Sequence, residues 1–434
     1  MTAAISEQRR RDVVGALRRG TVPAHGLDVL AVGLDRFAAA VDDELDRAAA
    51  GGAVFKAVRG EYGAGKTFFS RWLAERAKRR GFAVTEVQVS ETETPLHRLE
   101  TVYRRVVEHL TTAEFPASAL RAIVDSWLFA LENEARSAGV PDEDVAAAVD
   151  ALLEQRLAEV SLAAPAFSSA LRAYRRAALA GDVAVAEGLI AWLGGQPHVA
   201  ASVKRPAGIR GSLDHDGALG FLRGLLAVLR DSDHAGLVVV LDEVETLQRV
   251  RSDVRDKGLN GLRQLVDDID AGRFPGLVLV ITGTPPFFDG TQGAQRLPPL
   301  AQRLHVDFLP DPRFDNPRAV QVRLPGFTRE SLVELGTKVR ALHGAGAGAG
   351  AVDDGYVALL ADHVSGSLGG RVGVAPRIFV KKLVDVLDRA DQFPDFDPRR
   401  DYVIRLAPSE LTEAERAAAG PPPADSVDDI ELPE

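Results

Sequence analysis

The stretch that decides the fold is Gly60-Glu61-Tyr62-Gly63-Ala64-Gly65-Lys66-Thr67. It fits the pattern GxxxxGK(S/T), which marks a loop whose backbone N–H groups turn toward a phosphate. Residues 54–58 before it are apolar and typical of a strand, and residues 68–77 after it have the apolar spacing of a helix. A glycine-rich turn that merely contains Lys-Thr is the alternative, but the strand and helix on either side favour a phosphate-binding loop.

The side chains of this loop suit a nucleoside triphosphate bound with Mg²⁺. Gly60, Gly63 and Gly65 permit φ angles and a close approach that a side chain would block. Lys66 supplies a positive charge for the β- and γ-phosphates, and Thr67 supplies a hydroxyl ligand for Mg²⁺. The positive end of the following helix also favours an anion.

Composition excludes several kinds of site. The chain of 434 residues is 46% hydrophobic and 26% charged, which is typical of a soluble globular protein of two or three domains. It has no cysteine, which excludes disulfides and thiolate chemistry, and its nine histidines show no metal-ligand spacing. No apolar run is long enough for a membrane span, so we expect a cytoplasmic protein without membrane contact. A net charge of −10 argues against extensive coating of nucleic acid but leaves local DNA contact open.

Three further apolar runs predict the rest of a parallel sheet. Residues 82–89 alternate as a strand does, and 237–241 and 277–281 are continuous apolar runs of the kind found in buried strands. A strand, a loop, a helix and a strand in succession predict parallel pairing. The fold class is therefore α/β, with a P-loop core.

Helical spacing dominates the two regions outside the sheet. Residues 95–230 are helical almost throughout, which is long for a crossover and indicates a large helical insertion whose role is interaction. Residues 328–343, 354–364 and 377–387 predict three helices of a small C-terminal lid, with a flexible Gly-Ala segment at 344–350. The region 287–327 is rich in Pro, Gly and Arg and predicts loops with short elements. We expect the acidic, Pro-rich tail to be disordered.

Two segments before the loop each allow two interpretations. Residues 6–18 predict an amphipathic helix whose arginines either contact phosphate or an acidic partner, or form a solvated face, and the charge pattern favours the solvated face. Val32 and Gly33 end an apolar segment that either lies over a nucleotide base or serves as a linker.

Asp242 and Glu243 follow the apolar run 237–241 directly. A carboxylate at the end of a buried strand can hold Mg²⁺, and an adjacent one can polarise the water that attacks the γ-phosphate. An acidic pair on an exposed turn is the alternative. A P-loop at this distance, with strands between and after, favours the hydrolytic site.

Five further residues are candidates for the same chemistry. Thr282 and Thr284, at the end of the next strand, could sense the γ-phosphate or equally cap a turn. Arg296 and Arg303 are candidates for an arginine that reaches a neighbouring subunit's phosphate, although the chain contains many arginines. Arg377 begins a lid helix and either contacts nucleotide or lies on the surface.

Together these motifs resemble the AAA+ ATPases, nearest to the origin-recognition and initiator type. The resemblance implies ATP and Mg²⁺ as ligands, and it implies a role for each matching residue. The Walker A residues are Lys66 and Thr67, the Walker B residues Asp242 and Glu243, sensor 1 Thr282 or Thr284, the arginine finger Arg303 or Arg296, and sensor 2 Arg377.

We therefore predict three sets of site residues. The catalytic set is Glu243, Lys66, Arg303, Arg296, Thr282 and Thr284. The nucleotide-binding set is Gly60, Glu61, Tyr62, Gly63, Ala64, Gly65, Lys66, Thr67, Phe68, Arg377, Val32 and Gly33. The metal ligands are Thr67 and Asp242.

More narrowly, segments 16–23, 60–67, 96–104 and 236–246 resemble the BrxD family of BREX-system ATP-binding proteins. That resemblance implies bacterial defence against phage, alongside a DNA methyltransferase, a phosphatase-like protein and a helicase. It leaves open whether the chain forms a homo-oligomer and whether it contacts DNA itself. We expect no winged-helix domain after the lid.

The sequence thus predicts six segments and an ATPase. The segments are 1–33 (helix and linker), 34–96 (P-loop core), 97–231 (helical insertion), 232–326 (core with Walker B and sensor 1), 327–410 (lid) and 411–434 (tail). The alternative function is a nucleotide-gated scaffold or signalling switch with little turnover. Phosphoryl transfer to another substrate is weaker, since no acceptor-binding motif is present.

Overall fold

A computed structural model describes residues 6–344, 350–367 and 376–404. The predicted tail at 411–434 lies outside the described residues, as do positions 345–349 of the Gly-Ala segment. By their internal contacts the described residues form two compact units. The first comprises the described parts of Met1–Arg36, Gly60–Trp72 and Arg323–Glu434, and the second comprises Phe37–Arg59 and Leu73–Val322.

The sheet has five strands in the order β2-β3-β4-β1-β5. They are β1 (Val54–Arg59), β2 (Ala83–Gln88), β3 (Leu237–Asp242), β4 (Leu277–Gly283) and β5 (Gln321–Arg323). The four predicted strands are present at the expected positions. β5 was not predicted; it has only three residues, which is too short for an alternating pattern to show in the sequence.

Parallel pairing brings the carboxyl ends of the central strands to one edge. β1 pairs with β4 so that Arg59 lies beside Gly283, and β3 pairs with β4 so that Leu241 lies beside Ile281. On the other side of β3, Gln88 lies beside Asp242. Every residue of β3 and of β4 is buried, which explains why both read as continuous apolar runs. The predicted α/β class with a parallel sheet is confirmed.

The helices account for most of the chain outside the sheet. In chain order they are α1 (Glu7–Arg18), α2 (Asp35–Ala49), α3 (Lys66–Arg79), α4 (Leu99–Glu108), α5 (Leu120–Ser137), α6 (Val145–Arg156), α7 (Ala158–Ala163), α8 (Pro165–Leu179), α9 (Val183–Leu193), α10 (Ala201–Lys204), α11 (His215–Asp231), α12 (Ser252–Asp270), α13 (Pro285–Asp289), α14 (Pro298–Leu304), α15 (Arg329–His343), α16 (Asp354–Ser367), α17 (Pro376–Gln392) and α18 (Pro398–Asp401). Among the described residues, no helix has the length and apolar content to cross a membrane.

The helical block predicted at 95–230 is present as α4 to α11. Its centre is Phe221 on α11, whose ring packs nearly edge-on against Tyr103, Phe167 and Trp192 at centroid distances of 5.8, 5.2 and 5.2 Å. Gly224, one turn further along α11, lies so close to Phe167 that a Cβ there would be 2.5 Å from the ring. These four helices therefore pack around a closely fitted aromatic core.

α12 is longer than the sequence indicated. Apolar spacing in the sequence marks a helix only over residues 260–269, whereas the structure has it from Ser252 to Asp270. The additional turns, SDVRDKGL, are mostly polar, so apolar periodicity does not reveal them.

In the first unit, α1 packs on the lid helices. Val13, Val14 and Leu17 are buried in one apolar cluster with residues of α15, α16 and α17. On its outer side, Arg18 donates to the carboxylate of Asp388 on α17 through Nε (2.6 Å) and Nη2 (2.8 Å). His343, buried at the end of α15, contacts the same carboxylate at 2.9 Å. The sequence allowed α1 either to contact phosphate or an acidic partner or to present a solvated charged face. These contacts agree with the second interpretation.

The Asp388 contacts give the first unit a predictable response to acid. Burial raises the pKa of Asp388, but hydrogen bonds from Arg18 and His343 outweigh it, and the net pKa is lowered. A carboxylate with a lowered pKa in the folded state stabilises it above the unfolded-state pKa, and this contribution disappears as the pH falls through the folded-state pKa.

We therefore expect Asp388→Asn to lower the unfolding free energy at pH 7 by about 1–3 kcal/mol. The difference from the wild type should narrow below about pH 4, where the wild-type carboxylate becomes protonated. Thermal denaturation between pH 7 and pH 2.5 measures both effects. Asp395→Asn, which removes an exposed carboxylate of the same unit, is the control; a gap that stays constant with pH would contradict the assignment.

Candidate functional site

The loop at 60–67 belongs to the first unit and has the backbone that its glycines predict. Gly63 and Gly65 have φ of +80° and +88°, in the left-handed region that side chains disfavour. At Gly60 the constraint is space, since a Cβ would lie 3.1 Å from Ala64 Cβ and 3.4 Å from Leu324 Cβ. Substitution at any of these three glycines would thus disturb the loop.

Lys66 is the first residue of α3, and its ammonium lies against the loop itself. Nζ donates to the carbonyl oxygens of Gly60 (2.9 Å) and Glu61 (3.3 Å) and lies 5.0 Å from the centroid of the Tyr62 ring. The residue is only 8% exposed. An ammonium held within a curve of backbone has the charge and the N–H groups from which phosphate oxygens accept hydrogen bonds. Thr67 follows it on the first turn of the same helix.

Other predicted nucleotide-binding residues also lie in the first unit. Phe68 and Val32 are partly buried against its apolar cluster. Gly33 has φ of +69°, and a Cβ there would meet no other atom within 4 Å. Arg377, the second residue of α17, is exposed. A Cβ at Gly20 would lie 3.5 Å from the Cγ of this arginine.

In the second unit, Asp242, Glu243 and Thr282 form one hydrogen-bonded group at the carboxyl edge of the sheet. The Thr282 hydroxyl donates to Asp242 Oδ1 and accepts from the backbone N–H of Glu243 at 3.2 Å. That N–H also lies 3.2 Å from Asp242 Oδ1. Thr282 is fully buried and Asp242 is 6% exposed. These bonds fix the Asp242 carboxylate at the end of β3.

Glu243 has a backbone conformation that is uncommon for its residue type. Its φ of 61° and ψ of 47° are left-handed, which costs a residue other than glycine about 1–3 kcal/mol. The chain turns there from β3 into the 3-10 turn Val244–Gln248. The side chain is partly exposed, and its Oε2 accepts a hydrogen bond from Gln88 Nε2 at 2.8 Å. Strain held in place by neighbouring bonds is typical of functional positions.

Gln88 is a residue that the sequence analysis missed. It ends β2, directly beside Asp242 in the pairing of β2 with β3. The signal available in the sequence was its position, a polar residue near the end of a predicted strand, but the strand order needed to place it beside β3 is not visible in the sequence.

The structure distinguishes the two threonines at the end of β4. Thr282 contacts Asp242, whereas Thr284 lies after the strand at the start of α13, where its side chain makes no capping hydrogen bond. Both are buried, Thr284 to 4% exposure. Of the two, Thr282 is the one that contacts the acidic pair.

Both candidate arginines form ion pairs with α12. Arg296 pairs with Asp256 and donates to Ser252 Oγ at 2.7 Å. Its hydrogen bond lowers the pKa of Asp256. Arg303 on α14 pairs with Asp267, which also accepts from Arg263 at 2.6 Å. Each arginine is about one third exposed.

The described residues could hold Mg²⁺ only together with the phosphates of a bound nucleotide. Among them, no group of three or more His, Asp or Glu side chains could hold a metal ion alone. Mg²⁺ is commonly held by one or two protein oxygens together with the phosphates of a nucleotide and water. Asp242 in the second unit and Thr67 in the first each carry an oxygen of this kind, and a bound Mg²⁺ would supply the positive charge that neutralises phosphate oxygens.

Comparison with known proteins gives one family. No curated protein matches the chain. The family model described as BREX system ATP-binding protein BrxC/D matches residues 5–405, which include both the phosphate loop and the acidic group at the end of β3. This is nearly the whole chain of 434 residues. The chain therefore belongs to the BrxC/D family of BREX system ATP-binding proteins.

Proposed function

We propose that this protein is an AAA+-type ATPase that binds Mg-ATP at residues 60–67 and hydrolyses it with the acidic group at the end of β3, in BREX defence. The observation that carries the proposal is the bonded group of Asp242, Glu243 and Thr282 at the carboxyl edge of the sheet. β1 ends at the same edge, and its next residue, Gly60, begins the phosphate loop.

Binding is the first step. The loop backbone and the buried Lys66 ammonium receive the β- and γ-phosphates, and the partial positive charge at the start of α3 adds to the attraction. Val32, Gly33 and Phe68 are candidates for contact with the base, and Arg377 for contact with the phosphates. The family description, an ATP-binding protein, supports ATP as the nucleotide.

Hydrolysis needs a held metal and an oriented water. We assign Asp242, fixed by Thr282, and Thr67 to Mg²⁺, and Glu243 to the water that attacks the γ-phosphate. Gln88 holds the Glu243 carboxylate through its 2.8 Å hydrogen bond and so acts as a positioning residue. Thr282 contacts Asp242 and is therefore a stronger candidate than Thr284 for sensing the γ-phosphate.

An arginine supplied to a neighbouring subunit must first leave its own carboxylate. If Arg303 leaves Asp267, that carboxylate keeps its 2.6 Å bond to Arg263. If Arg296 leaves Asp256, two guanidinium bonds to that carboxylate and one to Ser252 are lost. Release of Arg303 therefore breaks fewer bonds within the chain than release of Arg296, and Arg303 is the arginine that is released at the lower cost.

The alternative, a nucleotide-gated scaffold with little turnover, is favoured by apolar side chains on the helical insertion. Phe129, Leu162, Leu179 and Val183 are 63%, 89%, 61% and 68% exposed. They lie on four helices of the insertion, α5, α7, α8 and α9, and each is a candidate contact for another protein. The proposed partners are other BREX components: the methyltransferase, the phosphatase-like protein and the helicase. Turnover measured with and without DNA and these partners separates the two functions.

Lys66→Ala should weaken ATP binding by about 10–100-fold, because it removes a charged contact to phosphate. Isothermal titration calorimetry with Mg²⁺ and a non-hydrolysable ATP analogue measures the loss. Lys204→Ala, on α10 of the insertion, is the matched control and should bind as the wild type does. Undiminished affinity in a correctly folded Lys66→Ala protein would overturn the assignment of the loop.

Glu243→Gln should keep nucleotide affinity and reduce turnover by about 10²–10⁴-fold, since the amide preserves size but cannot accept a proton. Phosphate release under saturating ATP measures turnover, and calorimetry measures binding. Glu91→Gln, an exposed glutamate in the loop after β2, serves as the control. Turnover at the wild-type rate would remove Glu243 from the mechanism and favour another base.

Arg303→Ala should reduce turnover by about 10³-fold while leaving ATP affinity unchanged, if the arginine acts across a subunit boundary. Mixing this variant with Lys66→Ala provides the sharper test. Arg303→Ala subunits bind ATP and Lys66→Ala subunits supply the arginine, so the mixture should recover activity that neither has alone. Arg296→Ala is the comparison variant. If the Arg303→Ala protein hydrolyses ATP at the full rate while it is a monomer, Arg303 does not act across a subunit boundary.

A further inference from the structure

A cleft of about 390 Å³ lies in the second unit, and its lining does not include Asp242, Glu243 or Thr282. It opens between α12, the segment before α4 and the start of α11. Its lining residues are His97, His215, Asp256, Lys257, Asn260, Gly261, Arg263 and Gln264. The volume falls in the range typical of small-molecule sites. Seven of the eight lining residues have polar side chains, although carbon atoms contribute most of the exposed lining.

The cleft depends on a close approach between α12 and the backbone of the segment before α4. Gly261 faces the segment before α4, and a Cβ at this position would lie 2.9 Å from the carbonyl oxygen of Leu96. Residues 256, 257, 260, 261 and 264 recur with the spacing of one face of α12. The polar side chains of this face are thus held opposite His97 and His215 by the fold.

The lining consists mainly of hydrogen-bond donors. Its one acid, Asp256, is already occupied by the guanidinium of Arg296. Lys257 is exposed, and among the described residues it has no carboxylate partner. His215 Nδ1 accepts a long bond of 3.5 Å from the backbone N–H of Leu99, which leaves the proton of a neutral ring on Nε2. Positive charge and N–H groups together favour an oxyanion.

His97 supplies a second indication that the cleft takes a ligand. Its Nδ1 is buried and has no hydrogen-bond partner among the described residues. Burial lowers the pKa of His97, and the charges of Arg98 and Lys257 lower it further. A buried ring nitrogen without a partner costs free energy, and a bound oxygen atom would remove that cost.

We propose that this cleft binds a phosphate group, with Lys257, His97 and His215 as its principal contacts. The lining contains no Phe, Tyr or Trp, so apart from the two imidazole rings the cleft offers no surface on which a base would stack. The recognised chemistry is therefore the phosphate itself. It comes either from a free phosphorylated compound or from the backbone of a nucleic acid strand, and the site is separate from the phosphate loop.

Two probes test the proposal on the full-length protein. With the phosphate loop filled by Mg²⁺ and a non-hydrolysable ATP analogue, calorimetry measures inorganic pyrophosphate, and fluorescence anisotropy measures a labelled 20-nucleotide DNA strand. Lys257→Ala and His97→Gln should each weaken binding by about tenfold or more. Arg176→Ala, an exposed arginine on α8, is the matched control and should change affinity less than twofold.

Each outcome of these measurements either supports the proposal or overturns it. Lys257-dependent binding of pyrophosphate assigns the cleft to a free phosphorylated compound, and Lys257-dependent binding of the strand alone assigns it to nucleic acid; both support the proposal. Binding of neither probe, or binding that Lys257→Ala and His97→Gln leave unchanged, overturns it. Because the variants lie outside the phosphate loop, ATP-analogue affinity measured in parallel reports separately on the proposed ATPase.

Discussion

The register of the parallel sheet is the constraint on which the rest of the structure depends. β4 lies between β1 and β3, so the ends of three strands come to one edge. A shift of one residue would exchange the two buried faces of β3 and would separate Asp242 from Thr282. The fully buried apolar runs of β3 and β4 make such a shift costly. Apolar burial therefore fixes the geometry of a polar group.

Much of this arrangement could be predicted from the sequence, for identifiable reasons. The phosphate loop is local: its glycines, lysine and threonine lie within eight consecutive positions. β3 and β4 are marked by continuous Val, Leu and Ile, and the lid helices by apolar spacing. The features that could not be predicted are contacts between residues that lie far apart in the sequence. The partners of Arg296 and Arg303 lie on α12, and Gln88 meets Glu243 across 155 positions. None of these three contacts leaves a periodic or compositional signal in the sequence.

The left-handed backbone at Glu243 shows a second limit of prediction. Glycine would adopt this conformation without strain, so the residue type alone gives no hint of it. Three bonds compensate: the backbone N–H is shared between Thr282 and Asp242, and Gln88 holds the carboxylate. These bonds hold the strained backbone in place and thereby fix the direction of the carboxylate. A relaxed backbone at this position would lose bonds that the neighbouring strands provide.

α12 connects the features that the sequence treats as separate. Its carboxylates, Asp256 and Asp267, hold the two candidate arginines, and the same helix forms one wall of the polar cleft. An anion bound at Arg263 would compete with Asp267 for that guanidinium and so strengthen the hold of Asp267 on Arg303. Conversely, release of Arg303 leaves Asp267 to Arg263 alone, which reduces the charge that Arg263 can offer to an anion. Occupation of the cleft and release of the arginine therefore oppose each other through one helix, whichever of the two occurs first.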